Sequence, residues 1–145
     1  MVGLTRDHPE TIAFVLACDL NGAITREETR DWVMRVIETV PDYPTYLLDL
    51  YDRWSPNPPV LLGEPKNVPF PFPMERHFSD WQQRAMRSIG YSRGFERKSY
   101  FPEWKARLAL AFNPGLVREF KATFDWLNDD PKAWWQPWPN SPANV

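Results

Sequence analysis

Few residues of this chain are of types that carry out acid–base, nucleophilic or metal chemistry. The sequence holds two histidines, His8 and His77, and one cysteine, Cys18. Either histidine could act as a general base, but both stand at predicted helix starts, where an exposed side chain bonded to backbone or water is the commoner role. Cys18 lies in an apolar run, which predicts a small buried hydrophobe. We therefore expect no metal site, no cofactor and no catalytic residue, and a small enzyme with a histidine base is the third-ranked hypothesis.

Acidic residues are concentrated in the first half of the chain. Residues 1–64 hold eleven acidic and five basic side chains, whereas residues 65–127 hold six acidic and eleven basic ones. Such an asymmetry bears on association rather than on fold, and it also fits two halves that pack with complementary fields. Carboxylates on the outer faces of helices could bind a basic protein partner. The candidate partner-binding residues are Glu27, Glu28, Asp31, Asp42, Asp49 and Asp52.

A basic stretch over residues 84–107 is the second candidate for function. Its cations alternate with tyrosine and phenylalanine, the combination with which proteins bind single-stranded nucleic acid through phosphate contacts and base stacking. The alternative is that the rings face the core and the cations face water. A sequence pI near 5.7 also argues against a dedicated nucleic-acid-binding protein. The candidate nucleic-acid-binding residues are Arg84, Arg87, Arg93, Arg97, Lys98, Tyr100 and Lys105.

Helix start and stop signals predict the helices on which the acidic and basic candidate residues lie. Capping-box spacings begin helices at Asp7, Thr25 and Ser79, while Gly22 and Gly90 predict helix ends. Asp42 is expected to cap the helix that follows Pro41. The predicted buried stripes of the later helices include Trp32, Val33 and Val36, then Tyr46, Leu47 and Leu50, then Trp81, Ala85 and Ile89, then Trp104, Leu108, Ala111 and Phe112, and finally Leu116, Phe120 and Phe124.

These elements predict a mainly α fold with little or no strand. We expect residues 1–145 to form a single-domain irregular helical bundle of five to seven helices. Residues 55–73 contain seven prolines and should be an extended strap, and residues 128–145 form a tail rich in tryptophan and proline. No apolar run approaches the roughly 20 residues of a membrane span. Without a signal-peptide pattern at the start, the expected location is the cytoplasm.

Residues 16–54 contain a further pattern. It consists of Leu16-x-x-x-Leu20-x-Gly22-x-Ile24-x-x-Glu27-Glu28, then Trp32, and then a proline turn, Pro41 to Pro44, into Tyr46-Leu-Leu-Asp-Leu50. This pattern resembles the start of small bacterial immunity proteins of polymorphic and contact-dependent toxin systems. The resemblance implies a non-enzymatic inhibitor that neutralises a cognate toxin by covering it. The acidic first half would suit a basic toxin domain, because carboxylates can take the place of phosphates.

Overall fold

The computed structural model of the protein describes residues 3–53, 76–93 and 102–129, and this part of the chain is helical with no strand. The mainly α prediction is therefore confirmed. The strap predicted at residues 55–73 and the tail after residue 129 lie outside the described residues. The helices are α1 (Glu10–Leu20), α2 (Arg26–Thr39), α3 (Tyr46–Arg53), α4 (Asp80–Ser92), α5 (Glu103–Ala111) and α6 (Pro114–Thr123), followed by a 3₁₀ helix (Asp125–Asp129).

The chain divides into two compact units. The described part of the first unit comprises residues 3–16, 25–53 and 76–77, and that of the second comprises residues 17–24, 78–93 and 102–129. Helix α1 thus gives its first seven residues to one unit and its last four to the other. The single-domain organisation of residues 1–145 stays a prediction. In the described ranges, every helix is too short or too polar to cross a lipid bilayer.

The N-terminus of α1 is capped by a backbone carbonyl and not by a side chain. The carbonyl of Gly3 accepts hydrogen bonds from the amides of Thr11 and Ile12, at 3.0 and 2.9 Å. The predicted cap, Asp7, is exposed. That prediction is wrong because the chain before α1 turns back on itself and brings a carbonyl oxygen to the helix start, where free amides need an acceptor. Arg76 also reaches α1, since its Nη1 donates to the carbonyl of Glu10 at 3.0 Å.

The end of α1 follows the prediction from Gly22. This glycine has a φ of +74°, in the left-handed region that favours glycine. Its amide donates to the carbonyl of Asp19 at 3.0 Å, and the amide of Ala23 donates to that of Cys18 at 2.8 Å. These two bonds form a Schellman motif, which satisfies carbonyls at the helix end.

Helices α2 and α3 form an antiparallel pair in the first unit. Thr25 and Glu28 make the predicted capping box at the start of α2, with bonds of 3.0 and 2.9 Å. Near the same end, Arg30 Nε donates to the carbonyl of Tyr51, close to the end of α3. The start of one helix therefore meets the end of the other. Buried side chains of the pair include Trp32, Val33, Val36, Leu47 and Leu50.

The turn between α2 and α3 differs from the prediction. Asp42 was expected to cap α3, but α3 begins four residues later, at Tyr46. The carbonyls of Pro44 and Thr45 accept the bonds from Leu47 and Leu48 at 3.1 Å each. Because Pro41 and Pro44 both restrict the residues that precede them, the chain needs more length to turn before it can enter a helix.

Helix α4 begins with the predicted capping box but does not end at Gly90. Ser79 and Gln82 bond each other's backbone amides at 2.8 and 3.1 Å. Gly90 is buried inside α4, which continues to Ser92. Residues Met86, Ile89 and Ser92 beside it are buried as well. Packing therefore overrides the modest helix penalty of one glycine.

The buried face of α5 is the opposite of the predicted one. Ala106, Ala109 and Leu110 are buried, whereas the predicted core residues Trp104, Leu108, Ala111 and Phe112 are exposed. Helix α5 packs on α4, and α6 packs on α5 and on the 3₁₀ helix. The small buried side chains Ala106 and Ala109 permit close packing between α5 and α4. In α6, Leu116 and Phe120 are buried, as is Phe124 after it, which confirms that stripe.

Candidate protein-binding surfaces

Helix α2 presents a row of carboxylates on the side opposite its buried residues. Glu27 and Asp31 are four residues apart, and Glu38 follows seven residues after Asp31, so the three share one face. All three are exposed, while Trp32, Val33 and Val36 are buried. Glu38 was not among the sequence candidates, although its spacing from Asp31 is that of a shared helix face.

Glu28 differs from the other candidates on α2. Its Oε1 accepts a hydrogen bond from the amide of Thr25 at 2.9 Å, and the side chain is half-buried. Glu28 therefore acts mainly in the capping box, and its carboxylate is already engaged in the folded chain. The four-residue capping signal in the sequence already indicated this structural role.

The remaining acidic candidates lie on the turn after α2 and on α3. Asp42, Asp49 and Asp52 are all exposed. Asp49 and Asp52 are one helical turn apart on α3, and Leu48 beside them is 43 % exposed. We call the exposed carboxylates of this helix pair and its turn the acidic surface. Its members are Glu27, Asp31, Glu38, Asp42, Asp49 and Asp52.

The carboxylates of the acidic surface form no close ion pairs in the described chain. This holds for all six, although the exposed Arg35 lies on the same face of α2, four residues after Asp31 and three before Glu38. Arg30, a cation of α2, is instead held by Tyr51, with its guanidinium 4.2 Å from the ring centroid. The negative charge of the surface is thus directed toward solvent and toward any partner that approaches.

The structure separates the basic candidates into three groups. Arg84, Arg87 and Lys105 are exposed on α4 and α5. Arg93 is half-buried, and its Nη1 donates to the carbonyl of Ala23 at 2.8 Å, so it secures the loop after α1. The other three candidates, Arg97, Lys98 and Tyr100, lie outside the described residues.

Exposed aromatic rings accompany these cations. Trp104, Leu108 and Phe112 follow one another at four-residue intervals along α5 and are 63, 40 and 70 % exposed. The ring of Phe112 meets that of Trp81 on α4 edge to face, with centroids 6.3 Å apart. Arg84 lies 5.4 Å from the centroid of Trp81, and Lys105 lies 5.6 Å from that of Trp104. We call Trp81, Arg84, Trp104, Lys105, Leu108 and Phe112 the aromatic–cationic surface.

Of the two histidines and the cysteine, His8 has a carboxylate beside it, with its Nδ1 3.6 Å from Oε1 of Glu10. His8 and His77 are both exposed, and Cys18 is buried. Within the described ranges, no three His, Cys, Asp or Glu side chains are grouped closely enough to hold a metal ion. Among the described residues, burial raises the pKa of Tyr46 above its ordinary value. Its hydroxyl donates to the carbonyl of Leu4, which is a structural role.

The chain has no significant match among family models, curated proteins or solved structures. The likeness of residues 16–54 to immunity proteins therefore stays a hypothesis.

Proposed function

We propose that this chain is a protein-binding module that holds a basic protein partner on its acidic surface. The observation that carries the proposal is the set of six exposed carboxylates on α2, α3 and the turn between them, which form no close ion pairs in the described chain. Unpaired surface carboxylates attract basic proteins, increase the rate of encounter and disfavour acidic competitors. In this proposal, binding of the partner is itself the function, and the chain catalyses no reaction.

The resemblance of residues 16–54 to immunity proteins supplies the class of partner. In that role the chain would bind a bacterial toxin domain in the cytoplasm and cover the site at which the toxin acts. A nuclease toxin is the best fit by charge, because its active site is built to hold phosphates and carboxylates could occupy the same cationic groups.

The test is capture of the partner followed by charge reversal. The chain is immobilised and exposed to an extract of its native cells, and the retained protein is identified and purified. Titration then compares the chain with a variant that carries Glu27→Lys and Asp31→Lys. We expect the variant to bind at least about tenfold more weakly, because two attractive charges become repulsive.

A matched control separates local from overall charge. The variant Asp7→Lys with Asp125→Lys makes the same change in net charge at exposed positions outside α2 and α3, and it should keep nearly the full affinity. Circular dichroism confirms that both variants are folded. Equal losses in the two variants, or an unchanged affinity in the first, would show that the acidic surface is not the docking site.

A further inference from the structure

The aromatic–cationic surface has the composition of an interface core. Trp81, Trp104 and Phe112 are 46, 63 and 70 % exposed. Since such a side chain can bury about 150–250 Å², their exposed parts amount to roughly 270–450 Å². An apolar patch of that size on a single chain often marks a binding site, and Trp, Phe and Arg are enriched at protein interfaces.

The geometry of this surface suits a helix better than a nucleic-acid strand. Trp104, Leu108 and Phe112 recur every four residues, which spaces them by about 6 Å along α5. A second helix offers side chains at the same interval, so the two can interdigitate. The middle member is a leucine, which packs against apolar side chains but cannot stack on a base as an aromatic ring does.

The positive charges of this surface indicate which side chains a helix bound to it would carry. Lys105 borders the apolar row on α5, and Arg84 lies over Trp81 on α4. A matching helix would carry carboxylates beside an exposed apolar side chain. Helix α3 of the same protein has this pattern, because Asp49 and Asp52 both lie on one side of the exposed Leu48.

We propose that the aromatic–cationic surface binds the α3 face of a second copy of this chain. The contact joins Leu48 to the row on α5 and places Asp49 and Asp52 near Arg84 and Lys105. This inference rests on the proposed function in one respect, since it uses part of the acidic surface. It makes a second copy a competitor of the basic partner. The contact joins two different surfaces. A bound copy can therefore bind a further copy through its free α3 face or its free aromatic–cationic surface, unless the copies form a closed ring.

The test is sedimentation equilibrium of the purified full-length chain over a range of concentrations. We expect the mean mass to rise with concentration, with a dissociation constant on the order of 100 µM because the contact is small. Raising the salt from about 20 to 300 mM should weaken the association. Trp104→Ala with Phe112→Ala should weaken it at least about tenfold at either salt concentration.

Charge-swapped variants identify the two surfaces. Asp49→Lys with Asp52→Lys, and Arg84→Glu with Lys105→Glu, should each remain monomeric alone. Mixed together they should associate, because the first keeps the native cationic surface and the second keeps the native α3 face. A control with Arg6→Glu and Arg118→Glu, both exposed and outside the contact, should associate like the parent chain.

Three results would overturn this proposal. The first is a parent chain that stays monomeric at millimolar concentration, and the second is a mixture of swapped variants that does not associate. The third is a monomeric chain that binds a single-stranded oligonucleotide in a way that Trp104→Ala abolishes, which would assign the surface to nucleic acid. Since no partner protein is present, each result leaves the partner-capture test of the proposed function unaffected.

Discussion

Gly3 occupies a position that no other residue type fits. Its φ of +91° lies in the left-handed region, and a Cβ built on it would stand 2.2 Å from Thr11 Oγ1 and 2.7 Å from the Thr11 amide nitrogen. The same residue supplies the carbonyl that closes the first turn of α1. A side chain here would therefore strain the backbone and displace the cap together.

We expect Gly3→Ala to lower the free energy of unfolding by about 1–3 kcal/mol. Urea denaturation followed by circular dichroism measures the change. Gly115→Ala is the matched control, because its Cβ would meet nothing closer than Arg118 Nη2 at 3.9 Å. That change should be neutral or slightly stabilising, since it restricts the unfolded chain. Equal effects at both glycines would contradict the structure around Gly3.

Tyr46 gives the molecule a pH dependence at the alkaline end. Burial disfavours the charged phenolate and raises the pKa of this side chain above its ordinary value of 10.0. Below about pH 10 the hydroxyl is protonated in both folded and unfolded chains. At higher pH the unfolded chain loses the proton first, so the stability that Tyr46 contributes is lost as the pH rises.

Tyr46→Phe should therefore have two effects. At neutral pH the free energy of unfolding should fall by about 0.5–1.5 kcal/mol, because the bond to the Leu4 carbonyl is lost. Between about pH 9 and 11 the variant should lose less stability than the parent chain. Denaturant titrations at a series of pH values measure both. The control is the same substitution at an exposed position, Tyr91→Phe, which should leave the free energy of unfolding at neutral pH nearly unchanged.

At the scale of the elements, the N-cap residue Thr25 stabilises α2, and its side chain can be removed without leaving a cavity. Thr25 Oγ1 accepts the bond from the Glu28 amide, and Thr25 is exposed, so its loss leaves no cavity. We expect Thr25→Ala to cost about 1 kcal/mol in urea denaturation. Thr39→Ala at the other end of α2 is the control, since Thr39 is exposed and bonds only backward to the Arg35 carbonyl. A cost at Thr39 as large as that at Thr25 would contradict a capping role.

Local signals predicted much of this architecture because the groups that decide them are close in sequence. The capping boxes at Thr25 and Ser79 and the stop at Gly22 each involve residues within a few positions. The exposure of Glu27 and Asp31 followed in the same way, from the helical period around the buried Trp32 and Val33.

Predictions failed where a contact distant in sequence decides the outcome. Gly3 replaced Asp7 as the cap of α1 because the preceding chain folds back. On α5 either face is apolar, and the packing of α4 and α6 selects the face with Ala106 and Ala109. Hydrophobic periodicity cannot distinguish two such faces, so the exposed row that includes Trp104 could not be found from sequence.

At the scale of the whole molecule, the uneven distribution of charge has a kinetic consequence. The net charge is only −2, yet residues 1–64 alone carry −6. A basic partner is therefore attracted toward one part of the chain, while an acidic one gains little there. Long-range attraction of this kind accelerates encounter more than it slows release.

We expect binding of the captured partner to depend on salt mainly through its association rate. Raising the salt from about 20 to 200 mM shortens the range of the field and should lower the association rate constant about tenfold or more. The dissociation rate constant should change far less. Stopped-flow mixing or surface plasmon resonance measures both. A salt effect confined to dissociation would indicate that short-range contacts, and not the field, guide the partner.

The complete burial of Cys18 also allows the opening of α1 to be measured through the reactivity of its thiol. It is the single cysteine of the chain, and its side chain is 0 % exposed in α1. A thiol-labelling reagent can reach it only in molecules whose helix has transiently opened. The labelling rate at low denaturant therefore measures how often α1 opens, without any mutation.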